Sequence, residues 1–218
     1  MMFKLLIFDL DGTLFDTAPG IARAMHRLMR ERGEKPLPDE LIRTFIGLGL
    51  SSLIAQLDDA TQNRLGSRDK LLEDFRRHYK STFLEETEPF PGVVEFLRGW
   101  PNEIAIVSNK HDDYIYELIS RSPLAQFSWR HICGGNTHEQ PKPSAIPLYA
   151  AMREAHAMPE QTLMIGDGLP DIIAAQNAGV RSIAIEFGYT PVVDLISAGA
   201  HARLKSYSDL SQLIQMLA

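Results

Sequence analysis

Two aspartates, Asp9 and Asp11, directly follow the apolar run Leu-Leu-Ile-Phe at residues 5–8, and Gly12 comes after them. Side chains alternate along an extended chain, so the two carboxylates can share one face. Asp-Gly is also a common turn dipeptide, but a turn needs only one Asp, and two carboxylates at the end of a buried strand are unfavourable without a use. Carboxylates can act as covalent nucleophiles and as general acids or bases. The pair therefore indicates a reactive site.

Two further segments carry residue types that suit an anionic ligand. Ser108 and Asn109 follow another apolar run, and a hydroxyl, a carboxamide and nearby backbone N–H groups suit phosphoryl oxygens. Ser-Asn is also common in turns, so this pair by itself is weak. Lys142 lies between two prolines, which restrict the backbone and so fix where the lysine points.

A second predicted strand followed by a carboxylate lies at residues 163–171. Gly166 and Asp167 follow the apolar run Leu-Met-Ile at residues 163–165, and Asp171 comes four residues after Asp167. Asp171 begins a predicted helix, where a carboxylate can cap the first turn. Like Asp9, Asp167 follows a short apolar run that is predicted to be a buried strand.

Apolar runs that alternate with amphipathic segments must position these residues. Strands are predicted at residues 4–10, 103–107, 129–133, 162–165, 182–185 and, more weakly, 201–204; helices are predicted at 91–98, 112–120, 144–155, 169–178, 191–198 and 208–217. This alternation is typical of an α/β fold, a Rossmann-like and mostly parallel sheet with helices on both faces. Ligands of such sheets bind beyond the carboxyl ends of the strands, where the candidate residues lie.

The segment between residues 16 and 85 breaks the alternation. It contains no convincing strand, only helical patterns at residues 19–32, 38–45, 51–57 and 60–83. We therefore predict an α/β core formed by residues 1–15 and 86–218, and an inserted all-helical domain formed by residues 16–85.

Composition excludes several classes of protein. The 218 residues include 22 Lys+Arg and 28 Asp+Glu, a net charge of -6, which argues against a nucleic-acid partner bound by phosphate neutralisation. One Cys excludes a disulfide framework within the chain and a site with several thiolates. The apolar runs are shorter than the roughly 20 residues of a membrane span, and a signal-peptide apolar region has no room before Asp9. We expect a cytoplasmic protein without a membrane partner; the oligomeric state is left open.

Taken together, the four segments resemble the motifs of the haloacid dehalogenase superfamily of phosphotransferases. Phe-Asp-Leu-Asp-Gly-Thr at residues 8–13 is similar to its first motif, and the other segments follow in the expected order. The resemblance implies that Asp9 is a nucleophile that forms an aspartyl-phosphate and that Asp11 is the general acid/base. It also implies that Ser108, assisted by Asn109, binds the phosphoryl group, and that Lys142 neutralises the nucleophile and that group. The dehalogenases themselves lack the second Asp.

The resemblance also implies a Mg²⁺ cofactor, held by the carboxylates of Asp9 and Asp167 and the backbone carbonyl of Asp11. Carboxylates this close repel one another unless a cation compensates. One departure is visible, because Gly168 stands where related sequences often carry Ser or Thr. The residues expected to support the site are Gly12, Thr13, Gly166 and Asp171.

Within the superfamily, the chain looks most like the phosphoglycolate phosphatase group. The similarity includes Ser-Asn-Lys at residues 108–110, Lys-Pro at 142–143, Ala-Ala-Gln-Asn-Ala-Gly at 174–179 and Phe-Gly-Tyr at 187–189. It implies a phosphatase that hydrolyses a small-metabolite phosphomonoester, with 2-phosphoglycolate as the first guess. A phosphomutase of the β-phosphoglucomutase type, a pyrophosphatase or nucleotidase, and a non-catalytic binding module are the alternatives.

The helical insert resembles the family's type 1 cap, which closes over the site and contacts the rest of the substrate. Its loop at residues 44–50 is an interhelical turn that could also face the site and set specificity. Arg43 could pair with a substrate carboxylate or lie solvated on a helix face. Cys133 is predicted to be a small buried hydrophobe. The remaining histidines without ligand spacing are predicted to be structural or surface groups: His111, His131 and His138.

Overall fold

One parallel sheet lies at the centre of the protein. The computed structural model describes residues 3–85 and 87–218, and the strands within these residues are β1 (Leu5–Phe8), β2 (Glu103–Val107), β3 (Trp129–Cys133), β4 (Thr162–Gly166), β5 (Arg181–Ile185) and β6 (Ala202–Leu204). Their order is β3-β2-β1-β4-β5-β6, and every neighbouring pair is parallel. The chain therefore adds strands first on one side of β1 and then on the other, which creates a topological switch point between β1 and β4.

Helices cover both faces of the sheet. In chain order the α-helices of the described residues are α1 (Ala18–Glu31), α2 (Asp39–Arg43), α3 (Leu50–Ala60) and α4 (Arg68–Thr82) in the insert, and α5 (Val93–Gly99), α6 (Asp112–Ser120), α7 (Ile146–Glu154), α8 (Leu169–Ala178), α9 (Val192–Ser197) and α10 (Leu210–Leu217) around the sheet. Leu6 and Phe8 belong to the hydrophobic cluster that contains side chains of α5, α6 and α10. Leu5 and Ile7 belong to the cluster on the other face, with α7 and α8. This period of two confirms the predicted α/β architecture.

Most element boundaries lie within two residues of their predicted positions, and α6 and α8 match them. β1 is shorter than predicted, because it ends at Phe8 and the chain turns at the two aspartates. The prediction of one helix over residues 60–83 is wrong. The chain between α3 and α4 has positive φ at Gln62, Asn63 and Gly66, a conformation that a right-handed helix cannot contain.

The first four helices, α1–α4, have a hydrophobic core of their own. It includes Leu28, Leu57 and Leu71, whose side chains have no exposed surface. The chain enters and leaves this helical insert along two adjacent segments, since Phe15 pairs with Pro89 in an isolated antiparallel bridge. The insert therefore lies at the carboxyl end of β1.

Three residues lie outside the described part of the chain: Met1, Met2 and Glu86. All three belong to the predicted core, and Glu86 is the first residue of its second segment. Within the described residues, none of the helices combines the length and apolar character that a membrane crossing requires. A cytoplasmic location stays a prediction from the sequence.

Replacing Leu57 by Ala tests whether the insert's core contributes to the stability of the protein. We expect Leu57→Ala to lower the free energy of unfolding by about 2–5 kcal/mol, the usual cost of removing a buried leucine side chain. Urea denaturation measures the change. The control is Val193→Ala, because the Val193 side chain on α9 is exposed, and its effect should stay within about 0.5 kcal/mol. Equal effects of the two substitutions would contradict the prediction.

Candidate active site

Three neighbouring strands bring candidate residues to one edge of the sheet. Phe8, the last residue of β1, pairs with Ile106 of β2 and Ile165 of β4, and the Asp9 amide donates to the Ile165 carbonyl at 2.9 Å. Asp9, Ser108 and Asp167 follow these strands and are all buried. The register thus gathers residues that are far apart in the sequence.

The Lys142 ammonium lies between two buried carboxylates. Its Nζ is 2.9 Å from Asp9 Oδ1 and 2.5 Å from Asp171 Oδ1, and it also donates to the Val107 carbonyl. Burial by itself would lower the pKa of Lys142, but Asp171 and Asp9 raise it above its ordinary value. Burial raises the pKa of Asp171 to about 6, against the opposing effect of Lys142. Lys142 therefore stays charged and holds both carboxylates in place.

Asp167 completes an acidic cluster with Asp9 and Asp171, in which one oxygen of each carboxylate lies within 4.8 Å of the others. Asp167 accepts hydrogen bonds from the Thr13 hydroxyl at 3.0 Å and the Tyr189 amide at 2.8 Å. No ion pair to Asp167 occurs in residues 3–85 and 87–218. Burial, together with Asp9 and Asp171, raises its pKa well above the usual range. A buried all-oxygen donor set with excess negative charge fits a Mg²⁺ ion.

Two glycines allow these carboxylates to approach the backbone. Gly12 has φ +79°, and a Cβ there would lie 2.2 Å from Asp167 Oδ2. A Cβ at Gly166 would lie 2.3 Å from Asp171 Oδ2. Both contacts are far inside van der Waals distance, so any larger residue would displace a carboxylate. The carbonyl of the buried Thr13 accepts a hydrogen bond from the Tyr207 hydroxyl at 2.9 Å, which holds the turn after β1.

Asp171 has both of the roles considered for it from the sequence. Its Oδ2 accepts a hydrogen bond from the Gly168 amide at 2.9 Å, at the first turn of α8. Its other oxygen contacts Lys142. The capping interaction fixes the carboxylate, and the fixed carboxylate positions the lysine.

The Asp11 carboxylate contacts a second buried lysine that the sequence analysis did not single out. Lys110 Nζ lies 2.9 Å from Asp11 Oδ1 and 2.7 Å from the Tyr79 hydroxyl, while the Thr17 hydroxyl donates to Asp11 Oδ1 at 2.7 Å. Burial lowers the pKa of Lys110, but Asp11 raises it to a net value above the ordinary one. The available sequence signal was the position of Lys110 directly after Ser108 and Asn109.

Asn109 links three segments of the chain. Its Nδ2 donates to the Gly47 carbonyl at 3.1 Å and the Lys142 carbonyl at 2.9 Å. The side chain therefore ties the loop at residues 44–50 of the helical insert to the segment that carries Lys142. The Ser108 amide donates to the Cys133 carbonyl at 2.9 Å, and this bond extends the β2–β3 pairing to the edge of the site.

A cavity of about 60 Å³ lies between the sheet edge and the helical insert. Its polar lining comes from the loops that follow β1 and β2, and its apolar lining comes mainly from the insert. The lining residues are Asp9, Asp11, Ile21, Ile46, Gly47, Gly49, Leu50, Leu53, Phe75, Tyr79, Ser108, Asn109, Lys110, His111 and Tyr114. The loop at residues 44–50 thus faces the two aspartates.

Tyr189 holds the first connection between the core and the insert. Its hydroxyl accepts hydrogen bonds from the amides of Thr17 at 2.8 Å and Ala18 at 3.0 Å, and donates to Asp16 Oδ1 at 2.9 Å. The Arg43 guanidinium lies over the Tyr189 ring, 5.1 Å from its centroid. Arg43 therefore packs on this aromatic ring and lies outside the lining of the cavity.

Removing the Tyr189 hydroxyl should loosen this connection. We expect Tyr189→Phe to lower the free energy of unfolding by about 1–3 kcal/mol, because the Thr17 amide loses its acceptor and the Ala18 amide keeps only a long hydrogen bond of 3.4 Å to Asp16 Oδ1. Amide hydrogen exchange, measured by NMR, should accelerate at Thr17 and Ala18 more than in the strands. Tyr116→Phe is the control, since Tyr116 is exposed and its hydroxyl makes one long hydrogen bond of 3.4 Å. Unchanged exchange at Thr17 and Ala18 would show that the hydroxyl does not hold this segment.

Comparisons with known proteins bear on the same residues. A family model of haloacid dehalogenase-like hydrolases matches residues 6–185. A phosphoglycolate phosphatase from Nitrosospira multiformis is 31% identical over 220 residues, which cover 97% of this chain and 96% of that protein. One from Pseudomonas syringae pv. syringae is 35% identical over 193 residues, covering 85% of this chain and 70% of that protein. A solved structure of a predicted phosphoglycolate phosphatase from Haemophilus somnus has a TM-score of 0.88, covers 98% of both chains and is 22% identical.

These similarities confirm the resemblance drawn from the four motifs. The family match spans most of β1, the helical insert and β2 to β5, and it includes every candidate residue from Asp9 to Asp171. The structural neighbour supports the fold alone, since a sequence identity of 22% is too low to support a shared function.

Proposed function

Because the chain belongs to the haloacid dehalogenase-like hydrolase family, we propose that it is a Mg²⁺-dependent phosphatase acting on a small-metabolite phosphomonoester. The main structural support for this proposal is the buried cluster of Asp9, Asp167 and Asp171 near Lys142, at the switch point of the sheet. Relatives named phosphoglycolate phosphatases, 31% and 35% identical over most of the chain, support this class of phosphoric monoester hydrolase. They make 2-phosphoglycolate the first substrate to test.

Asp9 is the proposed nucleophile. One of its oxygens is held by Lys142 at 2.9 Å, and the residue also lines the cavity. A carboxylate oxygen of Asp9 forms a bond to phosphorus while the ester P–O bond breaks, which gives an aspartyl-phosphate and an alcohol. Water then attacks the phosphorus, so that inorganic phosphate leaves and the carboxylate is regenerated.

Asp11 is the proposed general acid and base. It gives a proton to the departing alkoxide in the first step and takes a proton from the attacking water in the second. Lys110 and Thr17 hold its Oδ1 within hydrogen-bond distance, which fixes the carboxyl beside the cavity. Ser108 is proposed to bind phosphoryl oxygens, and Asn109 assists by tying the surrounding segments together.

The residues proposed to hold Mg²⁺ are Asp9 and Asp167 through their carboxylates and Asp11 through its backbone carbonyl. When bound, the ion supplies positive charge that neutralises the carboxylates and the phosphoryl oxygens. Lys142 adds a fixed charge beside the nucleophile, and Asp171 positions Lys142. Gly12, Gly166 and Thr13 shape the turns that bring these groups together.

Magnitudes indicate which contribution dominates. Phosphomonoester hydrolysis needs acceleration on the order of 10²¹-fold, whereas general acid/base catalysis supplies roughly 10²–10⁴-fold. Asp11 therefore cannot account for the rate. Most of the acceleration must come from in-line positioning and from the charges around the phosphoryl group.

We propose that the helical insert, residues 16–85, is a cap domain on a core of residues 1–15 and 86–218. Its separate hydrophobic core and its two adjacent connections support this division. The enclosed part of the cavity is small, about 60 Å³, and this favours a small substrate. The loop at residues 44–50 is placed to contact the part of the substrate beyond the phosphate, and Lys110 offers a cation in the cavity wall.

Replacing each aspartate by asparagine separates the two proposed roles. Asp9→Asn should abolish turnover, because a carboxamide does not form the acyl-phosphate. Asp11→Asn should lower kcat by roughly 10²–10⁴-fold, the contribution of general acid/base catalysis. The measurement is release of inorganic phosphate at saturating substrate. The control is Asp194→Asn, at an exposed position on α9, which should retain full activity. Robust turnover by Asp9→Asn would contradict the covalent mechanism.

A substrate panel tests the function itself. The purified protein is incubated with 2-phosphoglycolate, hexose phosphates, nucleotides and pyrophosphate, with Mg²⁺ or with EDTA. We expect phosphate release that requires Mg²⁺ and a preference of about 10²-fold or more, some 3 kcal/mol, for one ester. An isomeric sugar phosphate without phosphate release would identify a phosphomutase, and no reaction with any compound would favour a binding module.

A further inference from the structure

A second group of metal-ligating side chains lies at the carboxyl end of β3. His131 and Cys133 are two residues apart on this strand, and His138 lies in the loop that follows. One ligand atom from each of the three residues lies within 4.8 Å of the others. The sequence analysis predicted structural or surface histidines here, and the structure places both imidazoles beside the thiol.

The backbone explains how an unfamiliar spacing produces a cluster. Alternation along β3 directs His131 and Cys133 to the same side of the sheet. The chain then turns at residues 134–137, where the Gly134 amide donates to the Thr137 hydroxyl at 2.8 Å and the Thr137 amide donates to the Gly134 carbonyl at 3.2 Å. This turn brings His138 back toward the strand.

The polar atoms of this cluster lack ordinary partners. Nε2 of His131 and Nε2 of His138 are buried, and neither has a hydrogen-bond partner among the described residues. The fully buried Cys133 thiol makes a weak contact of 3.7 Å with the Gly134 carbonyl and also lies near the Thr137 side chain. By contrast, Nε2 of His26 lies 2.8 Å from the Leu37 carbonyl. Buried imidazole nitrogens without partners are unfavourable, and a shared ligand would satisfy them together.

We propose that His131, Cys133 and His138 form a binding site for a thiophilic divalent transition metal, with Zn²⁺ as its ligand. Two imidazoles and one thiolate are a donor set that zinc accepts, whereas Mg²⁺ prefers oxygen ligands. The Cys133 thiol loses its proton to solvent and its sulfur binds the metal, while each imidazole binds through a ring nitrogen. Zinc bonds of about 2.0–2.3 Å place tetrahedral ligand atoms roughly 3.5 Å apart, so the cluster needs a modest contraction. The fourth position stays open to water.

This site is distinct from the acidic cluster, but it is connected to the active-site loops. The Cys133 carbonyl accepts a hydrogen bond from the Ser108 amide, and the loop that carries His138 continues to Lys142. A metal that joins β3 to this loop restrains the segment preceding Lys142. Binding to the folded state alone also stabilises the protein, so saturation with Zn²⁺ should raise Tm.

Cobalt provides a direct spectroscopic test, because a thiolate bound to Co²⁺ gives a charge-transfer band in the near ultraviolet. The full chain is stripped of metal, supplied with excess Mg²⁺ and titrated with Co²⁺. We expect this band to saturate at one equivalent and to disappear when Zn²⁺ is added. Cobalt bound by carboxylates gives no sulfur band, and Cys133 is the only cysteine of the chain. A titration of the wild-type protein without the band would overturn the proposal.

Three variants identify the ligands. Cys133→Ser should lose the band, and His131→Gln and His138→Ala should each weaken Co²⁺ binding at least tenfold. His138→Ala changes a loop and leaves the buried strand intact, and circular dichroism verifies the fold of all three. The control is His156→Asn, because His156 is exposed and Asn tolerates its positive φ of 48°. Wild-type affinity in both His131→Gln and His138→Ala would refute the site. The readout does not use phosphatase activity, so its outcome is independent of the proposed function.

Discussion

The contact of the Lys142 ammonium with Asp9 and Asp171 is the interaction on which the site depends. Moving each of these charges out of water costs several kcal/mol, and only close geometry and further hydrogen bonds offset that penalty. The Val107 carbonyl and the Gly168 amide supply two of these bonds. One ammonium cannot balance three carboxylates, however. The remaining negative charge is concentrated near Asp167, and this excess is the physical reason for the proposed Mg²⁺ site at this edge of the sheet.

The arrangement of the sheet follows from the same constraint. Asp9 and Asp167 can meet only if β1 and β4 are neighbours and their ends are level, and the register of the two strands satisfies this condition. The turn after β1 must then pass so close to Asp167 that position 12 has no room for a side chain. The strand order at the switch point and the glycines at this edge of the sheet thus both allow the buried carboxylates to come together.

A second polar contact joins the core to the helical insert. Lys110 comes from the loop after β2, whereas Tyr79 belongs to α4 of the insert, and their side chains meet at 2.7 Å beside Asp11. Burial raises the pKa of Tyr79 to about 12, so the phenol stays neutral and accepts a hydrogen bond from the ammonium. Movement of α4 relative to the sheet would change the surroundings of Lys110, and through Lys110 those of Asp11. The proposed substrate enclosure and the proposed acid/base role of Asp11 are therefore linked through Lys110.

The sequence by itself predicted the α/β architecture, the helical insert, and the positions of the carboxylates at strand ends. These features depend on local periodicity and on short motifs, in which the decisive residues are neighbours in the chain. The break between α3 and α4 was missed although Gly66 offered a turn signal, because Gln62, which adopts positive φ four residues earlier, offered none.

Only the tertiary structure decided which polar groups meet across long stretches of chain. Tyr189 reaches Thr17 over 172 residues, and Lys110 reaches Asp11 over 99. Likewise, His131, Cys133 and His138 come together because of one turn. The spacing of these residues in the sequence did not predict the geometry of that turn. Periodicity identifies which face of an element is buried, but the packing of whole elements determines which side chains come within hydrogen-bond distance.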